Sequence, residues 1–153
     1  MAALYLEDFQ PGTERWSPGR TITEADVGAF AGLSGDYNPA HMDHEFARRG
    51  PFEKPIAHGL LALVVAAGLA DRDGALDGTA IALLSTSWTF KKPVFFGDTI
   101  RLRITIGSTR RTSKPGRGIL VRNVAVINQD DDVVQEGVFT TMIKARSTGA
   151  AIG

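Results

Sequence analysis

The chain has 153 residues, enough for one domain with a real core and too few for two. Hydrophobic residues make up 43% and charged residues 22%, which excludes disorder and fibrous repeats as its class. Lys plus Arg and Asp plus Glu both total 17, a net charge of zero that argues against a nucleic-acid binder, and the absence of cysteine removes disulfide scaffolds, zinc–thiolate sites and thiol nucleophiles.

Met1 to Pro11 carries the acidic pair Glu7 and Asp8 and no basic leader ahead of an apolar stretch. No secretory signal is read there, and the expected compartment is the cytoplasm. Glu14 to Thr21 reads as a strand. Thr23, followed by Glu24, Ala25 and Asp26, supplies an N-cap hydroxyl and acidic groups at the positive end of a helix dipole. Val27, Phe30 and Ala31 then recur at helical spacing, so a short amphipathic helix is expected to end near Gly32. Asp43 to Arg49 reads as a further helical turn stopped by Gly50-Pro51.

Gly59 to Ala70 is wholly apolar. As a helix it would measure about 18 Å against a hydrocarbon core of about 30 Å, so no membrane span is expected. It reads instead as a helix buried on all sides. Asp71 to Gly78 is a turn-rich connection. From Ala80 the period becomes two: Ile100, Leu102, Ile104 and Ile106 alternate with Arg101, Arg103 and Thr105, a strand with one wet face. Ala80 to Phe90, Gly118 to Asn128 and Val133 to Lys144 read as three more strands. Helices first and an antiparallel meander second make the class α+β, with one domain over 1–153. One sheet from a chain this size covers such a helix with difficulty, so a second copy is expected to pair with it.

The chemistry-bearing segment is Ser34-Gly35-Asp36-Tyr37-Asn38-Pro39-Ala40-His41. Gly35 and the Asn38-Pro39 step favour turn or extended backbone, so regular helix is not expected there and the two side chains can converge. A carboxylate and an imidazole gripping one water suit the addition of water to an activated double bond. Asn38 is expected to hold the loop or orient the pair through its amide.

Phe30 to His41, with Phe46-Ala47, Ala57-His58-Gly59, Phe90 to Thr99 and the stretch around Val134-Gln135-Glu136-Gly137, closely resembles the (R)-specific enoyl-CoA hydratase, or MaoC-like dehydratase, family. The resemblance implies a hot-dog fold, a long helix wrapped by an antiparallel sheet, usually in a homodimer with acyl-thioester sites at the subunit interface. It implies that Asp36 and His41 activate water for syn addition to a trans-2-enoyl thioester, giving the (3R)-hydroxyacyl product. It places Gly59 at an oxyanion hole and Phe90 beside coenzyme A. The carrier is coenzyme A or acyl carrier protein, and neither a further cofactor nor a metal is expected. The reading of Gly59 agrees with its place at a helix start, where N–H groups lack partners and the dipole is positive.

Plainer readings stand beside these. His41, Asp43 and His44 could be proposed as metal ligands, but no fourth ligand is evident and no helix-borne metal motif is present. Asp43 and His44 are expected at an exposed helix start, His58 in a structural role, and Ser34 as a turn support. Trp16 and Trp88 are expected in the core or an interface. Arg110, Arg111, Lys114 and Arg117 form a basic turn that could meet phosphates, with a solvated hairpin as the favoured reading. Rival functions are a thioesterase on the same fold and a non-catalytic acyl-CoA-binding subunit.

Overall fold

The computed structural model describes residues 2–147; the first residue and the last six of the expected 1–153 domain lie outside the described part. After a short 3-10 turn (Leu6–Asp8) come β1 (Glu14–Trp16), β2 (Arg20–Thr21), α1 (Glu24–Ser34), α2 (Pro39–Met42), α3 (His44–Arg48) and α4 (Gly59–Ala70). Then follow β3 (Ala80–Phe90), β4 (Thr99–Arg111), β5 (Arg117–Ile127) and β6 (Val133–Lys144). The sheet is antiparallel in the order β1-β4-β5-β6-β3, with β2 also on β4. Irregularities between Ala80 and Ala82 and between Leu83 and Ser85 interrupt the β3 ladder, the kind of bulge that bends a strand.

The alternation in β4 behaves as read. Ile100 and Leu102 are fully buried and Ile104 and Ile106 nearly so, while Arg101 and Arg103 face water. Ile100, Leu102 and Ile104 join Val124, Val126, Val134 and Phe139 against Leu61, Ala62, Ala66 and Leu69 of α4, while Ile106 packs with Leu6, Phe9, Leu120 and Ile143. Ala62 and Ala66 have no exposed surface, so the helix backbone packs close to the sheet. The hot-dog arrangement, an antiparallel sheet wrapped on one long helix, is the architecture. Among the described residues no helix is long and apolar enough to cross a membrane.

Four local expectations are corrected. The strand read over Glu14 to Thr21 is two strands, because Pro18 has no N–H for a ladder. Ser17 bridges the gap: its N–H donates to the Leu102 carbonyl at 3.0 Å, and its Oγ accepts from the Leu102 N–H at 2.8 Å. The helix α1 passes Gly32 and runs to Ser34, where Gly35 in the left-handed region (φ 78°) ends it. The segment expected to be free of regular helix contains α2, since Pro39 at a first helical position costs no hydrogen bond. Finally, α4 is not covered on every side: Leu60 and Val64 are 57% and 56% exposed.

The start of α1 is a capping box. Thr23 Oγ1 accepts from the Asp26 N–H at 3.2 Å, and Asp26 Oδ2 accepts from the Thr23 N–H at 2.8 Å. Arg20 on β2 grips the same carboxylate at 2.8 and 3.2 Å, tying helix to sheet. Trp16 is half-exposed on the outer face under the Arg101 guanidinium, while Trp88 stacks on Phe139 at 5.3 Å.

Candidate active site

The loop after α1 is held by a relay of short side chains. Ser34 Oγ donates to the Phe30 carbonyl (2.7 Å) and accepts from the Asp36 N–H (3.1 Å). Asp36 Oδ1 accepts from the Asn38 N–H (3.1 Å), and Asn38 Oδ1 accepts from the Ala40 N–H (3.0 Å), capping α2. Ser34 is thus a turn support. Asn38 holds the loop, and its amide touches backbone rather than the acid/base pair. With one oxygen of Asp36 occupied, the other has no hydrogen-bond partner among the described residues and is available to solvent.

His41 sits on α2 and faces the chain leading to α4. Its Nδ1 lies 2.7 Å from the Ile56 carbonyl. A carbonyl only accepts, so Nδ1 carries the hydrogen and Nε2 is left as the nitrogen that can take or release a proton. His58 is 2% exposed and donates from Nε2 to the Asp36 carbonyl at 2.9 Å. Its ring lies against His41 (centroids 3.9 Å, 32°) and Phe30 (4.8 Å). One donor or acceptor atom each from Asp36, His41 and His58 falls within 4.8 Å of the others.

This trio differs from the metal set weighed in the sequence. Asp43 caps α3 by accepting from the Phe46 N–H at 2.9 Å, and His44 pairs with Glu24 at 2.8 Å on the surface. Neither joins His41. Within the trio, the two imidazoles lie against each other at a 32° tilt, and each has one nitrogen committed to a backbone carbonyl.

Gly59 is the first residue of α4, and His58, at the N-cap, makes no side-chain cap. The Leu61 N–H turns back to the His58 carbonyl at 3.1 Å, which leaves the N–H groups of Gly59 and Leu60 for another acceptor. Absence of a Cβ is required by a neighbour: one built on Gly59 would stand 2.9 Å from Cδ1 and 3.1 Å from Cε1 of Phe90. The Phe90 ring, half-exposed, thus lies against the helix tip. A cleft of about 290 Å³ opens beside it, lined by Phe52, Ile56, Gly59, Lys91, Lys92 and Gln135 among others.

Gln135, to which the sequence reading gave no role, braces the start of α4. Only 2% exposed, it donates from Nε2 to the Gly59 carbonyl at 3.0 Å and accepts at Oε1 from Trp88 Nε1 at 2.8 Å. Its signal was a lone amide inside the apolar start of β6, since a buried side-chain amide needs partners. The basic turn, by contrast, is far away. Arg117 pairs with Lys144 in register, while Phe90 pairs with Gln135 at the other end of β6, about 30 Å along the strand. Arg111 is engaged with Glu7 and with the Arg146 carbonyl. A solvated hairpin is what the turn forms.

An antiparallel sheet wrapped on an apolar helix, with a carboxylate and imidazole beside that helix's uncapped start, defines a class in which known proteins can be compared. A family model described as a MaoC like domain matches residues 8–127. The chain is 35% identical over 143 residues to the (R)-specific enoyl-CoA hydratase of Rhodospirillum rubrum, covering 93% of each. Among solved structures, the Archaeoglobus monoamine oxidase regulatory protein superposes with a TM-score of 0.87 at 31% identity, covering 94% of this chain and 96% of that one. The Aeromonas caviae (R)-hydratase gives a TM-score of 0.75 at 29% identity, with 92% and 99% covered. A double hotdog protein of Mycobacterium tuberculosis, 21% identical with a TM-score of 0.80 over 99% of this chain and 47% of that one, shares the fold. The chain belongs to the MaoC-like family.

Proposed function

We propose that this hydro-lyase adds water to trans-2-enoyl thioesters to give (3R)-3-hydroxyacyl thioesters, and runs in reverse as a dehydratase. The observation that carries the reading is the meeting of the Asp36 carboxylate with His41, whose Nε2 is the free ring nitrogen, beside the uncapped start of α4. Similarity to the Rhodospirillum rubrum hydratase over nearly the whole length of both chains supports it.

In the hydration direction a water lies between Asp36 and His41. Its oxygen bonds to C3 as one of the pair accepts a proton, and the pair returns a proton to C2 on the same face. Electron density moves onto the thioester oxygen as the enolate forms and returns when C2 is protonated. The Gly59 N–H, at the positive end of α4, stabilises that charge. One water enters and nothing is oxidised or reduced, so the reaction needs no cofactor beyond the thioester carrier. Phe90 walls the cleft that takes the carrier arm, coenzyme A or acyl carrier protein, and Lys91 and Lys92 lie on its rim.

The working unit in this reading is a homodimer. Pairing at the free edge of β3 would cover Ile81, Leu83 and Leu84 together with Leu60 and Val64 of α4, all exposed in the single chain.

The test is the loss of enoyl absorbance from crotonyl-CoA without release of free thiol. Asp36→Asn and His41→Ala are each expected to slow it by orders of magnitude in a protein that stays folded. Thiol release instead would identify a thioesterase, and wild-type turnover in both variants would falsify the assignment of the pair.

A further inference from the structure

The proposed chemistry uses the imidazole of His41 and leaves the buried imidazole of His58 without a task. The His58 ring lies against both His41 and Phe30, with centroids at 3.9 and 4.8 Å. Its Nε2 donates to the Asp36 carbonyl at 2.9 Å, so Nδ1 carries a lone pair, and that buried atom has no hydrogen-bond partner among the described residues. A phenyl ring would fill the same space and strand no acceptor. What calls for an imidazole here is the bond made by Nε2.

That bond is unlike the others of its loop. Among the described residues, every other hydrogen bond of Ser34, Gly35, Asp36 and Asn38 ends within residues 30–42. Those bonds shape the loop; the one from His58 sets where it stands against the rest of the fold.

His58 itself is on a fixed segment. Ile56 donates its N–H to the Ala40 carbonyl at 3.2 Å, and Ala57 donates to the Val94 carbonyl at 2.7 Å. The Ile56 carbonyl takes the His41 Nδ1–H. His41 is thus oriented by Ile56, and Asp36 is located by His58, two positions along the same short run. Changing His58 leaves His41 its bond to Ile56, whereas Asp36 loses its one hydrogen bond from outside the loop.

We infer that His58 is a positioning residue for the proposed hydration: its Nε2–H sets where the Asp36 main chain stands, and so the reach from the carboxylate to His41. The inference rests on the reading that Asp36 and His41 handle the attacking water, and it adds a residue to that reading. One donor or acceptor atom of each of the three residues falls within 4.8 Å of the others, a small space in which misplacing a reacting group by about 1 Å can cost about 10²-fold in rate.

Two variants separate the bond from the ring. His58→Phe keeps a ring against His41 and Phe30 and removes the donor; His58→Gln keeps a side-chain N–H of similar reach and removes the ring. Urea melts, crotonyl-CoA hydration and crystal structures without substrate would be compared. His58→Phe is expected to be the more stable of the two, yet about 10²-fold below the wild type in kcat with a smaller change in KM, and with its Asp36 carboxylate displaced from His41. His58→Gln is expected to be the less stable and to regain most of kcat and the carboxylate position. A residue that only fills space would rank the two alike in stability and in kcat. His58→Leu removes the donor at smaller volume and is expected to lose kcat in the same way, should the phenyl ring not fit.

Wild-type kcat in the variants that lack the donor, or an Asp36 carboxylate that stays in place in them, would overturn the inference. Absence of crotonyl-CoA hydration by the wild type would remove the hydratase reading instead. In that event the crystal structures alone decide: displacement of Asp36 in His58→Phe and its return in His58→Gln uphold the positioning, and an unmoved carboxylate overturns it.

Discussion

The side-chain amide of Gln135 holds the carbonyl of Gly59 at 3.0 Å, so a residue buried at the start of β6 fixes the first peptide of α4. The N–H in that planar peptide belongs to Leu60 and points the opposite way, out of the helix start. The far side of Gln135 accepts from Trp88, which packs on Phe139 in the core. The helix start is therefore braced from the sheet one peptide beyond the proposed oxyanion donor, the Gly59 N–H, and not only from its own helix.

Gln135→Met keeps the volume and removes both hydrogen bonds. Expected results are a loss of about 1–3 kcal/mol in stability from the stranded Trp88 N–H, and a fall of about tenfold in kcat with a smaller change in KM. Adding Trp88→Phe removes the stranded donor, so the double variant should regain stability in urea melts while kcat stays low. Recovery of kcat in the double variant would reduce Gln135 to a packing role.

Gly59→Ala places a methyl group 2.9 Å from the Phe90 ring. The ring is half-exposed and can swing away, so the protein should fold while the helix tip and cleft change shape. Hydration of crotonyl-CoA is expected to fall at least tenfold, about the effect of losing one positioned donor. Phe90→Leu alone should be milder, and in the double variant it should recover part of the loss. A crystal structure of the double variant with the Gly59 peptide returned to its place would check the cause.

Asp26 gives a pH dependence with a defined sign. Burial pushes its carboxyl up, but the hydrogen bond from Arg20, those from Thr23 and the Arg20 charge together outweigh burial and hold it below the usual aspartate range. A depressed carboxyl contributes stability that is present above the unfolded value, about 3.9, and is lost as pH falls through the lower folded value. Asp26→Asn should cost about 1 kcal/mol at neutral pH, the scale of a lost cap. Its disadvantage against the wild type should shrink below about pH 4, and urea melts across that range would read the convergence.

Leu83→Lys places a charge on the free edge of β3, and Val64→Lys places one on the open face of α4. If two copies meet there, each variant should shift sedimentation velocity from dimer to monomer, because an unpaired buried ammonium is strongly disfavoured. A wild-type protein that sediments as a monomer at every concentration would remove the proposed dimer.

Much of this was legible in the sequence because it rests on local rules. The period-two run of β4, the cap at Thr23 and the uninterrupted apolar stretch of α4 each declare their structure within a few residues. What was not legible depends on distant partners. His58 reads as one histidine before a glycine, and only the folded chain sets it on the Asp36 carbonyl and against His41. Gln135 reads as one amide among valines until Gly59 and Trp88 arrive from other elements. The short helix carrying His41 was hidden by a rule misapplied: Asn38-Pro39 does exclude helix at Asn38, yet the same proline is a good first residue for the turn that follows.

His58 is bonded through its ring to the backbone of Asp36 and through the chain to Gly59. The loop that carries Asp36 and the proposed anion site are thus mounted on a common bracket one residue wide. Any displacement of the start of α4 would pull on the Asp36 backbone through that bond, so the loop and the helix tip are mechanically coupled.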